Sequence, residues 1–545
     1  MAVNKEGAFT ALHSTQQVDP RRRVRDAFSN HGVSRLGRRG LLVLLVVGLL
    51  LGGSQTGASR VSARALQETR FWTGCDPGPF QPPPPPEHVQ TELPAPTLPR
   101  AARISVDLNS WSGHRPIIGT GFNFEHALWS CPELRGLFQQ DILDPFSPTL
   151  ARVDTGLLPA APPDLPAVQL GPDVYNAMLA SSPYADSWAF LKRLNEAGVR
   201  IVLGVWGGPE QFTSDGTRLG VLEPSHYDDY VQYVSSVIKF LVQDRGVRVW
   251  ATTIANEPDG GDGNQIPPAG LAYIAHQLAQ RLAPLGVRLY GPDTSNGAAT
   301  MQYLPLLLDD PSVVSDLAFV GFHEYYASQD VARVVDYVKE RQPDLPVVVT
   351  EYTSFGFGDL DAGQEANDGV GFMLDVANTL LSHYKSGVDA ALYWDAIDYL
   401  QPGHDAITRW GLLRGPQRDF APRRRYYGFL QILPYLRPGT RVLTAQQDGD
   451  ASDLGSLAVL TPSGAPAVFL VNQGVDDIDL TLDLAGNDAS GFPILTVWRT
   501  DRGHNAEGIG RLQLQNGSGS LFLPARSLTT LFPFGAVADP SEAAS

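Results

Sequence analysis

Trp250-Ala-Thr-Thr-Ile-Ala-Asn-Glu-Pro-Asp259 is the stretch on which the reading of this chain turns. It opens as a short apolar strand and runs into Asn256-Glu257-Pro258. Proline cannot donate to a strand ladder, so the strand is expected to stop there, with Glu257 at its C-terminal end. Leu345-Pro-Val-Val-Val-Thr-Glu-Tyr352 has the same form, a β-branched run that ends in Glu351.

Outward from these two stretches, strand-like and helix-like segments alternate, the pattern of βα units around a parallel sheet. Strands are predicted over 117–125, 150–155, 200–206, 250–257, 287–293, 317–325, 347–352 and 391–397. Eight strands of this kind make a TIM (β/α)8 barrel. The interval between the two glutamates suits three βα units of about thirty residues each. Helices are predicted over 271–282 and 372–384, and another from Tyr227 with Ser225 as its N-cap. The segment 157–183, rich in Pro and Ala, reads as a long loop.

Past Arg437-Pro-Gly439 only strands remain. Ile478-Asp-Leu-Thr-Leu-Asp-Leu484 alternates strictly, and 467–471, 494–498, 511–514 and 527–532 are further strands between turn residues. They predict an antiparallel β-sandwich of about a hundred residues. Arg103-Ile-Ser-Val-Asp-Leu108 also alternates and is a candidate to pair into it. Four regions follow: a basic region with a signal peptide or membrane anchor over 1–65, a proline-rich linker over 66–100, the barrel over 101–436 and the sandwich over 437–535.

The apolar run 41–51 follows seven arginines. It is shorter than the ~20 residues that span a bilayer, and its length suits the core of a signal peptide. Arg38-Arg39-Gly-Leu-Leu resembles a twin-arginine export motif. The bulk of the chain is therefore expected outside the cytoplasm, secreted or attached to a membrane through this segment. The five prolines of 82–86 make the linker an extended tether. A formal net charge of -17 argues against nucleic acid as a partner. Two cysteines, Cys75 and Cys131, are too few for a disulfide scaffold or a multi-cysteine zinc site. They leave open one bridge or two free thiols.

The expected strand tips carry a polar and aromatic set: Arg152 on the second strand, Asn256-Glu257 on the fourth, His323-Glu324-Tyr325 on the sixth, Glu351 on the seventh and Trp394 on the eighth. In this order the set resembles the active site of the clan A glycoside hydrolases, over roughly residues 117–397. Arg425-Tyr-Tyr-Gly428 with Arg437-Pro-Gly439, and Pro524-Ala-Arg-Ser-Leu-Thr-Thr-Leu531, resemble glycoside hydrolase family 30. The barrel-plus-sandwich layout is also similar to families 39 and 79. Phe122-Asn-Phe-Glu-His126 resembles an arabinofuranosidase motif of family 51. Where family 30 typically has Gly-Phe-Gly-Gly, this chain has Gly119-Thr-Gly-Phe122.

The resemblance implies a retaining glycosidase acting on an oligo- or polysaccharide, with Glu257 as acid/base and Glu351 as nucleophile. Two carboxylates suffice for this chemistry, so no metal or organic cofactor is expected. Arg152 is expected to hold and orient the Glu351 carboxylate, and Tyr325 to hydrogen-bond it. Asn256 is expected to donate to the sugar 2-hydroxyl, His323 to line the subsite, and Trp394 to offer a flat face to a pyranose ring. Asn123 and Glu125 are candidates for sugar hydroxyls. Trp206 is a candidate subsite wall, with Gly207 and Gly208 letting substrate approach the backbone. Strand period turns Glu324 to the other face. Asp259, Asp395 and Asp398 receive no role. The rival readings are a carbohydrate-binding or adhesion protein on the same barrel, and a transglycosylase using the same glutamates.

Overall fold

A computed structural model describes residues 99–112, 115–125, 128–129, 131–154, 184–260, 262–325, 328–354, 369–399, 408, 410–449, 451–486 and 489–534. The N-terminal region, the proline-rich linker and the loop expected over 157–183 lie outside these residues. No helix among the described residues is long and apolar enough to cross a membrane.

The first strand, β1 (Arg100–Trp111), belongs to the sheet outside the barrel, as its alternation suggested, and the barrel strands begin at Gly121. Eight parallel strands close the barrel in chain order: β2 (Gly121–Phe124), β3 (Leu150–Asp154), β4 (Arg200–Gly204), β5 (Val249–Thr253), β6 (Arg288–Pro292), β7 (Leu317–His323), β8 (Val347–Tyr352) and β9 (Ala390–Tyr393). All eight predicted strands are present, most of them shorter at the C-terminal end. β5 stops at Thr253, four residues before Glu257, so Pro258 is not what ends it. Helices cover the outside, and the strands are buried on both faces, which is why they read as unbroken apolar runs. Val347–Tyr352, for instance, is buried at every position. Leu150, Val202, Tyr290, Phe319, Val348 and Leu392 fill the interior in layers.

Two predicted helices are longer than expected, at Pro268–Leu282 and Val370–Lys385. The Ser225 cap is not found. A 3-10 turn, Pro224–His226, precedes the helix Tyr227–Lys239, and the Ser225 hydroxyl donates to Glu223 at 3.4 Å. Pro224 suits the first position of a helical turn, so the coil begins before the serine can cap it.

The remaining strands are β10 (Arg441–Gly449), β11 (Leu454–Leu460), β12 (Pro466–Asn472), β13 (Ile478–Ala485), β14 (Ile494–Thr500), β15 (Glu507–Gln513), β16 (Ser518–Leu523) and β17 (Ser527–Pro533). Nine strands follow the order β15-β14-β17-β12-β11-β10-β1-β13-β16. β1 lies antiparallel to β10 and parallel to β13, so the domain is mostly rather than wholly antiparallel. No hairpin ties β1 to β13, so nothing forces them to oppose. The inner face packs around Ile104, Val106, Val468, Leu470, Leu482 and Leu531. The other face of β12 and β17, with Phe469, Val471, Leu528 and Phe532, joins the core of the barrel's helical layer. Both strands are consequently buried throughout, whereas β13, covered on one face, keeps its alternation.

The Arg425-Tyr-Tyr-Gly428 motif lies on this seam. Arg425 is buried, donates to the Gly411 carbonyl at 2.9 Å and lies over the Phe372 ring at 4.0 Å. A Cβ on Gly428 would come within 2.7 Å of Met373 Cγ, so glycine lets the two helices approach.

Candidate active site

Arg152 is the hub. On β3 it shares a face with inward Leu150, two residues earlier, and so projects into the top of the barrel. It is wholly buried. Nε donates to Tyr290 Oη at 2.9 Å, Nη1 to Asn123 Oδ1 at 2.9 Å and to Glu351 Oε1, and Nη2 to Asn256 Oδ1 at 2.6 Å and Asp293 Oδ2 at 2.8 Å. The Trp206 ring lies over the guanidinium at 4.3 Å from its centroid. Burial works against the charge, but the carboxylates of Asp293 and Glu351 hold Arg152 cationic.

Glu351 faces inward through an irregularity in β8. Phe322 pairs with Val349, but His323 pairs with Glu351, so two residues of β8 answer one of β7. Strict alternation would send Thr350 inward and Glu351 outward; the bulge re-aims the second side chain. Thr350 donates to Asp293 Oδ1 at 2.6 Å, while the two Glu351 oxygens accept from Arg152 and from the Tyr325 hydroxyl. Burial and the charge of Glu351 push the Tyr325 phenol well up, so it stays a donor.

Glu257 stands on the loop after β5 with φ 39°, in the left-handed region that non-glycine residues rarely adopt. Its N–H donates to the Asp293 carbonyl at 2.9 Å, which fixes this turn. Oε2 accepts from Asp262 N–H at 2.5 Å, and Oε1 meets His323 Nδ1 at 2.8 Å. One oxygen of Glu257, one of Glu351 and a ring nitrogen of His323 all lie within 4.8 Å of one another. Oxygens this close fit carboxyl groups about 5–5.5 Å apart better than a pair about 6.5–9.5 Å apart. Three donors this close could also hold a cation, but Arg152 and Tyr325 already occupy the Glu351 oxygens, and His323 meets both carboxylates.

His323 is wholly buried and bridges the two glutamates. Nδ1 is also 3.5 Å from Glu351 Oε2, and Nε2 is 3.5 Å from Asp293 Oδ1. Burial lowers its proton affinity. Glu351, Asp293 and Glu257 together outweigh this and push it up to about 10.

Asn123 is buried and donates to the Thr350 carbonyl at 2.9 Å, so it braces Arg152 against β8. Asn256 donates one hydrogen to the Asp262 carbonyl at 2.6 Å, which leaves its second for a ligand. Glu125 is half-buried just past β2, at the same end of the barrel. Trp394 is half-buried with its ring 5.0 Å from Trp410 and edge-on to Tyr325 at 6.5 Å. The glycines after Trp206 make room for the chain itself. A Cβ on Gly207 would come within 2.8 Å of Arg218 Cγ, and one on Gly208 within 3.2 Å of Asn264. Glu324 turns away as expected, accepting from Gly297 N–H at 3.3 Å and Ser328 Oγ at 3.0 Å. Asp259 ties the loop to Ser295, and Asp398 pairs with Arg423 at 2.6 Å. Cys131 is disulfide-bonded; Cys75 lies outside the described residues.

Asp293 and Tyr290 were not singled out from sequence. Gly291-Pro292-Asp293 reads as a turn, and its only signal is an acidic residue at the tip of a predicted barrel strand.

No family model matches this chain, and no curated protein matches it by sequence. Solved structures match by fold. The family 30 endoxylanase from Clostridium papyrosolvens is 16% identical, covers 79% of this chain and 99% of its own, and has a TM-score of 0.59. The catalytic domain of family 30 xylanase C from Talaromyces cellulolyticus is 16% identical, over 79% of this chain and 100% of its own, with a TM-score of 0.58. This chain has the fold of the family 30 glycoside hydrolases. The same fold is shared by an endo-β1,6-glucanase at 15% identity, over 79% of this chain and 93% of its own, with a TM-score of 0.56.

Proposed function

We propose that this protein is an exported retaining glycoside hydrolase. The observation that carries the reading is the carboxylate pair. Glu257 and Glu351 follow or end two different barrel strands, their nearest oxygens lie within 4.8 Å, and they are 8% and 4% exposed at the mouth. Their surroundings differ as the two tasks require. Two donors aim Glu351 as a nucleophile, while Glu257 sits on a loop beside an imidazole that can accompany proton transfer. Glu351 attacks the anomeric carbon as Glu257 protonates the leaving oxygen; Glu257 then takes a proton from the water that releases the sugar.

The substrate is an oligo- or polysaccharide, in keeping with the xylanase and glucanase names of the structural neighbours. The Trp394 face and the remaining Asn256 N–H are the sugar contacts. The basic and apolar N-terminal segment supports export. A binding protein would not need both carboxylates converging on one point.

Azide separates the roles. Glu257→Ala on an activated aryl glycoside should retain the first step, and added azide should give a glycosyl azide of the substrate's anomeric configuration. Glu351→Ala with azide should give the inverted product. Proton NMR of the products reads the outcome. Exchanged configurations would swap the two labels, and wild-type hydrolysis by both variants would end the assignment of Glu257 and Glu351 as the catalytic pair.

A further inference from the structure

Asp293 is a buried charge to which the two-glutamate chemistry gives no task. It follows β6, is wholly buried and lies in the left-handed region at φ 59°. Its carboxylate accepts from Arg152, which orients Glu351, and faces His323, which meets Glu257. Among the described residues, only Glu351 and Asp293 pair with both Arg152 and His323.

The charges around His323 can be counted element by element. Among the described residues, β3 presents Arg152, the loop after β5 presents Glu257, the turn after β6 presents Asp293, β8 presents Glu351, and its own loop presents the Tyr325 phenol. Before the first displacement Glu257 holds the proton it will give away. Arg152 and a protonated His323 then balance Asp293 and Glu351. During that displacement a Glu351 oxygen bonds the anomeric carbon, the bond to the leaving oxygen breaks, and the Glu257 proton goes to that oxygen. Glu351 is now a neutral ester and Glu257 an anion, so the sum is again zero. Water then bonds the anomeric carbon, gives a proton to Glu257 and frees Glu351 as the anion.

The negative charge therefore passes from one glutamate to the other and back. His323 Nδ1 lies 2.8 Å from Glu257 Oε1 and 3.5 Å from Glu351 Oε2, within reach of both places. A neutral imidazole would leave the buried group one charge negative throughout, and a cation without Asp293 one charge positive. Either excess is costly away from water.

Resting on the assignment of Glu257 and Glu351 above, we infer that Asp293 is a positioning residue. Through His323 it supplies the cation that accompanies the negative charge as it moves between Glu351 and Glu257. The held-up proton affinity of His323 and the held-down one of Asp293, where Arg152 and His323 overcome burial, agree with this arrangement.

The test is nitrogen-15 NMR of His323 in the full-length protein, its signal assigned by its loss in His323→Gln. At about pH 8 the wild-type ring should carry both N–H protons. A neutral ring there overturns the inference without any change at Asp293. In Asp293→Asn the ring should lose its proton at least about tenfold more readily, and the alkaline limb of kcat should move to lower pH with KM little changed. A merely structural Asp293 would lower activity equally at every pH and leave the ring's titration in place, which also overturns the inference. If that variant does not fold, Thr350→Val removes the 2.6 Å hydrogen bond but keeps the charge. The Asp293 oxygen that faces His323 then loses its other donor, so the ring should hold its proton more tightly, and an unmoved titration counts against the role. Azide products that match the assignments above, with an unmoved His323, would sink only the role of Asp293.

Discussion

The two ends of the barrel treat buried charge in opposite ways. At the C-terminal end Arg152, Asp293 and His323 are wholly buried and stay charged. At the N-terminal end burial pushes Asp389 up to about 6 and Lys339 down to about 8, each toward its neutral form. Depth does not explain the difference, since the charged set is the deeper one. Partners do. Asp293 has Arg152 at 2.8 Å and His323 at 3.5 Å, whereas the cation nearest Asp389 is Arg115 at 3.6 Å, itself partly exposed. A carboxylate keeps its charge in a barrel only where opposite charges converge on it.

The strongest way to break this comparison is to remove the central cation. Arg152→Met leaves Asp293 and Glu351 without their guanidinium and should cost about 3–5 kcal/mol of stability as well as turnover. Urea unfolding measures it. A loss under about 1 kcal/mol would show that the network is not held by charge.

A smaller effect follows from pH. His323 is raised to about 10 from an ordinary 6.5, so its contribution is complete below about pH 6.5 and is lost as pH rises through 10. Unfolding free energy should fall across that window by up to about 1.4 kcal/mol per pH unit, and His323→Gln should flatten the slope. Denaturation curves at three pH values across the window would show a parallel wild type and variant if the reading is wrong.

The smallest effect belongs to the other end. Asp389 is also raised, so its stabilising contribution is complete below about pH 4 and lost as pH passes about 6. Asp389→Asn keeps an acceptor for the Val347 N–H, bonded at 2.8 Å in the wild type, without the charge. Relative to wild type it should gain as pH rises from 4 to 6, ending about 1 kcal/mol more stable near neutrality. A less stable variant there would mean that Arg115 outweighs burial after all.

How much of this was readable depends on the range of the interaction. The strands were legible because two covered faces demand continuous β-branched and apolar runs, as in Val347-Val348-Val349. Glu257 and Glu351 were legible as acids at the tips of such runs. Glu324 was separated from His323 by strand period alone. Asp293 was missed because an aspartate after Gly-Pro is ordinary turn chemistry. Asn123 and His323 were legible as residues of the site, but their contacts with Arg152 and the two glutamates were not, because those partners lie on other strands.

By itself, then, the sequence determined the barrel, the strand-rich C-terminal region and the two acidic tips, since local periodicity and composition carry that information over ten or so residues. Only the tertiary structure decided that β1 lies between β10 and β13, that a bulge turns Glu351 inward, and that Asp293 joins Arg152 to His323. Those are contacts between segments dozens to hundreds of residues apart, brought together by barrel closure and sheet pairing, and no local pattern records which buried charge will face which.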